Sequence, residues 1–183
     1  PYSSGSQFAV NMDDGKEHTI SVEQGKLTLV GNPAASGAAI KISNGSTLNL
    51  LGDVNLTNKR GPGQYGSVGG TAVNIDNAVL NIGTLETTSI GEGFKLNNAT
   101  INGDSLSIIV NEGGPNDQPI YRYGIIADGT SSINAATKVV VNKAKVAKGM
   151  ELHQGDKVTF GKTLEINVND ASDYAFGIYS YRN

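Results

Sequence analysis

The chain has 183 residues, with 24 glycines, no cysteine and no tryptophan, and a formal net charge of −3. A chain of this length can bury one substantial core, and a mild negative charge without a basic cluster argues against a nucleic-acid partner. No apolar run reaches the roughly 18 residues that a membrane-spanning helix needs.

A small residue followed by an apolar–any–apolar triplet recurs seven times along the chain, at intervals of 21 to 33 residues. A repeat of this length predicts a solenoid. The triplets begin at anchor residues Val10, Ile40, Val73, Phe94, Ile125, Met150 and Ile178. The residue before each anchor is always Ala or Gly, which predicts a tight corner where a larger side chain would clash with the next coil. These corner residues are Ala9, Ala39, Ala72, Gly93, Gly124, Gly149 and Gly177.

Polar turn formers follow most anchors at a distance of four residues. In the first four coils they are Asp14, Asn44, Asn77 and Asn98. Stacked coils would place them one above another, and we expect their side chains to hydrogen-bond along the stack as a turn ladder. Gly129 and Gln154 replace them in later coils, so the predicted ladder is irregular.

One coil shows the type of solenoid. Residues 39–43, 47–51 and 54–58 each alternate apolar with polar side chains, and Gly, Asn or Asp separates them. Three short strands per repeat predict an all-β, right-handed parallel β-helix of about six to seven coils, forming one domain over residues 1–183. The alternative, an antiparallel sandwich, gives no reason for a repeating three-strand unit. Both ends lack a polar cap in the sequence, so we expect the chain to be open at both ends and part of a longer rod.

Longer coils gain their extra residues between the third strand and the next anchor, at about 30–38, 59–70 and 111–123. Loops at the same point of successive coils protrude along one edge, which is a common place for binding. Tyr and Arg are enriched where proteins recognise partners. The predicted binding residues at this edge are Arg60, Tyr65, Tyr121, Arg122, Tyr123 and Tyr174. The alternative is that these tyrosines only cover the corner.

Irregular coils rich in Gly, Asn, Ser and Thr, without Cys, resemble the passenger region of Gram-negative autotransporters, the pertactin-like and adhesin-like β-helices. Residues 70–75, 77–82 and 95–103 carry the resemblance, which covers nearly the whole chain. It implies display on the cell surface or secretion, with an outer-membrane β-barrel elsewhere in the parent chain. It also implies adhesion to a host surface protein or glycan, or self-association between cells.

Two other functions stay open from the sequence. The first is a structural stalk that presents a distal module and binds nothing itself. The second is a polysaccharide-acting enzyme, which would need two carboxylates at a set separation. Asp13 and Asp14 are the candidates, although the turn after Met12 explains them better. We predict no catalytic residue, no cofactor and no metal site, because His18 and His153 both lie in polar, turn-like surroundings.

Overall fold

The computed structural model describes residues 8–31, 37–58, 70–111, 121–153 and 155–180. Over these residues the chain forms a parallel β-solenoid of about five turns. Its fourteen strands pair in parallel and form two main sheets. Within the same ranges, no helix is long and apolar enough to cross a membrane.

Sheet one contains the strands that carry the anchors. Its members, in spatial order, are β1 (Val10–Met12), β3 (Ala38–Ser43), β5 (Thr71–Asp76), β7 (Glu92–Asn97), β9 (Tyr121–Asp128), β11 (Val146–Leu152) and β14 (Tyr174–Ser180). The register pairs every anchor with the next one, so that Ile40 lies between Val10 and Val73, and Met150 lies between Ile125 and Ile178. The repeat read from the sequence is therefore the structural repeat of sheet one.

Sheet two contains the remaining strands, five of which have 11 or more residues. They are β2 (Glu17–Gly31), β4 (Thr47–Asn58), β6 (Val79–Ser89), β8 (Thr100–Val110), β10 (Thr130–Asn142), β12 (Lys157–Phe160) and β13 (Leu164–Asn169). The pairing order is β12-β10-β8-β6-β4-β2, and β13 also pairs with β10. The sequence predicts a turn between the second and third strands of each coil, as between residues 47–51 and 54–58. Most long strands continue through this point with only a shift of register, as between Leu50 and Asp53. The prediction of three strands in every coil is therefore not confirmed, and neither is the count of six to seven coils.

The core lies between the two sheets and follows the alternation of each strand. In β10 every second side chain is buried, and Ile133, Val139 and Val141 are fully enclosed. The alternation breaks at the corner, where the small residue and the anchor after it are both buried, as at Ala39 and Ile40. Two successive inward positions require one small side chain, because both must fit where the sheets meet.

Later coils leave no room for a methyl group at the corner. A Cβ on Gly124 would lie 2.4 Å from the carbonyl oxygen of Gly149 and 2.2 Å from Cγ1 of Val139. A Cβ on Gly93 would lie 2.4 Å from the carbonyl oxygen of Gly124. Gly177 belongs to the same column, yet a Cβ there would meet nothing within 4 Å. The space at this position therefore differs from coil to coil.

The turns after β3, β5, β7 and β9 need a left-handed backbone. Asn44, Asn77 and Asn98 have φ of 57°, 49° and 46°, and Gly129 has φ of 70° at the same place in its coil. Asn and Gly adopt this conformation most readily, which explains why they alternate here. Asn98 Nδ2 donates to Asn77 Oδ1 at 3.4 Å, and Asn44 Nδ2 donates to the carbonyl oxygen of Asp13. A left-handed backbone is thus shared by Asn44, Asn77, Asn98 and Gly129 but not by Asp14, whose carboxylate bonds within its own turn.

A continuous asparagine ladder lies in sheet two instead. Its members are Asn49, Asn81, Asn102 and Asn134, one from each of four successive strands. Each Nδ2 donates to the Oδ1 of the preceding member, at 2.7, 2.9 and 2.9 Å. Amides in register satisfy one another along the stack, which ties neighbouring coils together.

Candidate functional site

The outward face of sheet one carries a group of aromatic and charged side chains on β9, β11 and β14. This aromatic patch consists of Tyr121, Tyr123, Lys148, Glu151, Phe176 and Tyr179. Its members point away from the core because their positions flank the buried corner and anchor, as Lys148 and Glu151 flank Gly149 and Met150. In register, Tyr123 pairs with Lys148 and Lys148 with Phe176, so these side chains form a row along the solenoid axis.

Lys148 lies at the centre of the aromatic patch. Its Nζ is 3.9 Å from the ring centroid of Tyr179, 5.3 Å from that of Tyr123 and 5.9 Å from that of Tyr121. The same ammonium forms an ion pair with Glu151, and the two side chains are only 10% and 12% exposed. Cation–π attraction and a charge-assisted hydrogen bond together compensate for removing the ammonium from water. The ammonium therefore lies between the Tyr179 ring on β14 and the Tyr121 and Tyr123 rings on β9.

Two groups on this face, Glu92 and Tyr123, have a shifted pKa. Burial raises the pKa of Glu92 above its usual value, while the hydroxyl of Thr71, which donates to Glu92 Oε2 at 2.6 Å, works in the opposite direction. Burial also raises the pKa of Tyr123 to about 12, and the carboxylates of Glu151 and Glu92 add to the shift. Tyr123 therefore keeps its proton at neutral pH and remains a hydrogen-bond donor.

The aromatic rings are ordered relative to one another. Tyr121 and Tyr123 have centroids 6.3 Å apart and planes inclined by 13°. Tyr174 stacks on Phe176 at 6.1 Å, and Phe176 tilts against Tyr179 at 5.0 Å. Tyr121 is 42% exposed, and Tyr174 is more exposed still. The face therefore presents ring surface to solvent beside a partly buried ion pair.

The structure places the sequence-predicted binding residues in three groups. Tyr121 and Tyr123 belong to the aromatic patch, and Tyr174 lies next to it on β14. Arg60 and Tyr65 lie outside the described residues, as does most of each predicted insertion. Arg122 is a correction: its side chain is 1% exposed, and Nη1 donates to the carbonyl oxygen of Asn142 at 3.2 Å. It lies between two outward tyrosines on one strand, and alternation therefore directs it inward.

Sequence reasoning missed Lys148, Glu151, Phe176 and Tyr179. Aligning the coils on their anchors would have found them. The position two residues before the anchor holds Glu92, Tyr123, Lys148 and Phe176 in successive coils, and the position just after it holds Lys95, Ile126, Glu151 and Tyr179. No single residue in either column indicates a binding site. The grouping of aromatic and charged side chains is seen only when the coils are stacked.

A second polar cluster lies at the end of the same sheet. Ligand-type atoms of Asp128, His153 and Asp156 lie within 4.8 Å of one another. His153 Nδ1 is 2.6 Å from Asp128 Oδ1. The Asp156 carboxylate accepts from the backbone N–H groups of Gly129 at 2.7 Å and His153 at 3.0 Å. These contacts give the carboxylate a structural role in the turn before β12, and the predicted absence of a metal site stays a prediction.

Asp14 has the wrong environment for a general acid. Its carboxylate accepts from the backbone N–H of Lys16 at 3.0 Å and bonds to His18 Nε2 at 3.0 Å. The Lys16 N–H, followed by His18, lowers the pKa of Asp14 below its usual value. A group that donates a proton to a glycosidic oxygen needs a raised pKa, so this turn does not favour the enzyme hypothesis.

Comparison of the chain with protein-family models, with curated proteins and with solved structures gave no match.

Proposed function

We propose that this chain is a surface-displayed or secreted β-solenoid passenger that mediates adhesion, and that the aromatic patch is its binding surface. The observation that carries this proposal is the set of partly exposed tyrosine rings around Lys148 and Glu151 on the outward face of sheet one. Exposed aromatic side chains arranged around a few fixed polar groups are typical of recognition sites.

The parallel solenoid supports the passenger part of the proposal. Stacked coils form an extended rod whose sides are available for contact, which suits a protein displayed at a surface. The autotransporter likeness of residues 70–75, 77–82 and 95–103 adds to this. In this proposal each coil has three arms in a right-handed path, with the second and third arms joined across the register shift of sheet two.

A substitution at one exposed side chain tests whether the chain is an adhesin or a stalk. The substitution Tyr121→Glu places a charge on the aromatic patch at a position that is 42% exposed. We expect beads coated with the variant to bind cultured epithelial cells and extracellular matrix about tenfold less than wild-type beads, the loss typical of a disrupted recognition aromatic. Bead binding is counted by flow cytometry.

Leu51→Glu is the matched control, because Leu51 is 45% exposed and lies on β4 in sheet two. Its beads should bind as wild-type beads do. Equal binding by the two variants would show that the aromatic patch is not the binding surface. If wild-type beads bind neither cells, matrix nor bacteria, the result favours the stalk.

A further inference from the structure

We infer that the ligand of the aromatic patch is a glycan chain lying along the solenoid axis. This inference rests on the proposed function and narrows its ligand from any surface molecule to one chemical class. The ring surfaces, the buried ion pair and the repetition of the coils carry it.

The ring surfaces suit the apolar faces of sugars. Pyranose rings carry C–H groups on their faces and hydroxyls at their edges, so they pack on aromatic rings while the hydroxyls stay solvated or hydrogen-bonded. Tyr121 stacks on Tyr123 and is 42% exposed, and the Phe176 and Tyr179 rings lie two strands further along the axis. The patch thus offers partly exposed ring surface from two coils.

The polar groups of the patch suit hydroxyls better than a net charge. Lys148 only donates hydrogen bonds and ionised Glu151 only accepts them, whereas a sugar hydroxyl does both. The ammonium and the carboxylate form an ion pair with each other, so the pair adds no net charge to the patch. Three tyrosine rings and Glu151 already surround the ammonium in the free chain, and a site arranged before binding costs less conformational entropy when a ligand binds.

The repetition of coils suits a polymer. Glu92, Tyr123, Lys148 and Phe176 come from four successive strands of sheet one. Neighbouring strands are about 4.8 Å apart, so successive side chains in this row are spaced at roughly the length of one sugar residue. An acceptor, a ring, a donor and another ring therefore follow one another at the spacing of an extended polysaccharide.

The test measures binding of the full 183-residue chain to three immobilised probes: cello-oligosaccharides, chitin oligosaccharides and heparin. We expect binding to at least one of the two uncharged probes. Tyr121→Ser should weaken it about tenfold or more, Tyr121→Phe should change it less than about threefold because the ring remains, and Lys148→Met should weaken it at least as much as Tyr121→Ser. Circular dichroism and thermal unfolding verify that each variant is folded.

Three results would overturn the glycan assignment. The first is binding to heparin alone that is abolished by salt and insensitive to Tyr121→Ser, which indicates charge rather than ring stacking. The second is binding to none of the probes. The third is undiminished binding to periodate-treated cells that Tyr121→Ser still abolishes. In that case the patch remains an adhesive surface with a protein ligand, so the proposed function survives while the glycan assignment fails.

Discussion

Gly124 lies where two coils approach closely. A Cβ at this position would be 2.4 Å from a backbone oxygen of the next coil, which cannot move without disturbing the strand. The methyl group must therefore push the coils apart or strain the backbone. Overpacking of this kind costs about 1–3 kcal/mol.

The substitution Gly124→Ala should lower the melting temperature by roughly 2–12 °C, given about 2–4 °C per kcal/mol for a chain of this size. Gly177→Ala is the control, since nothing lies within 4 Å of a Cβ there and its φ is not in the left-handed region. It should leave the melting temperature unchanged or slightly higher, because Ala restricts the unfolded chain. Thermal unfolding followed by circular dichroism compares the two, and equal effects would contradict the close approach at Gly124.

At the scale of elements, the asparagine ladder joins β4, β6, β8 and β10 through their side chains. Asn102 is an inner member, and it both donates to Asn81 and accepts from Asn134. Its removal therefore breaks two hydrogen bonds and leaves a donor and an acceptor of the neighbouring coils without their ladder partners.

Replacing Asn102 by Ala should reduce the free energy of unfolding by about 1–3 kcal/mol, at roughly 0.5–1.5 kcal/mol per lost hydrogen bond. Asn74→Ala on β5 is the control, because Asn74 makes no side-chain hydrogen bond among the described residues. Urea unfolding measures both variants. A loss for Asn102→Ala no greater than that for Asn74→Ala would show that the ladder adds nothing to stability.

The strands of sheet two also show where sequence reasoning stops. Gly52-Asp53 resembles a turn, and Gly52 does have φ of 94°, yet β4 continues through it with only a shift of register. A glycine followed by an aspartate looks the same before a turn and inside a bulge. The number of strands in a coil therefore depends on the pairing partner, which the local sequence does not contain.

At the scale of the whole molecule, the parallel solenoid was the most predictable feature. The anchors repeat once in every coil, and the register of sheet one stacks them one on another, from Val10 to Ile178. The proposed binding surface was less predictable. Tyr121 and Tyr123 were selected because tyrosine is enriched at recognition sites. Arg122 was selected for the same reason, although strand alternation buries it. The role proposed for Lys148 depends on the tyrosine rings of β9 and β14, the strands on either side of its own.

The central claim is that this solenoid binds through the outward face of sheet one. Hydroxyl-radical footprinting of the chain, free and bound to the cells or matrix it recognises, tests this most directly. We predict protection of Tyr121 and Tyr179, with Leu51 on sheet two labelled equally in both states. Protection confined to residues 59–70 and 112–120, with Tyr121 and Tyr179 unchanged, would contradict it and place binding in the insertions.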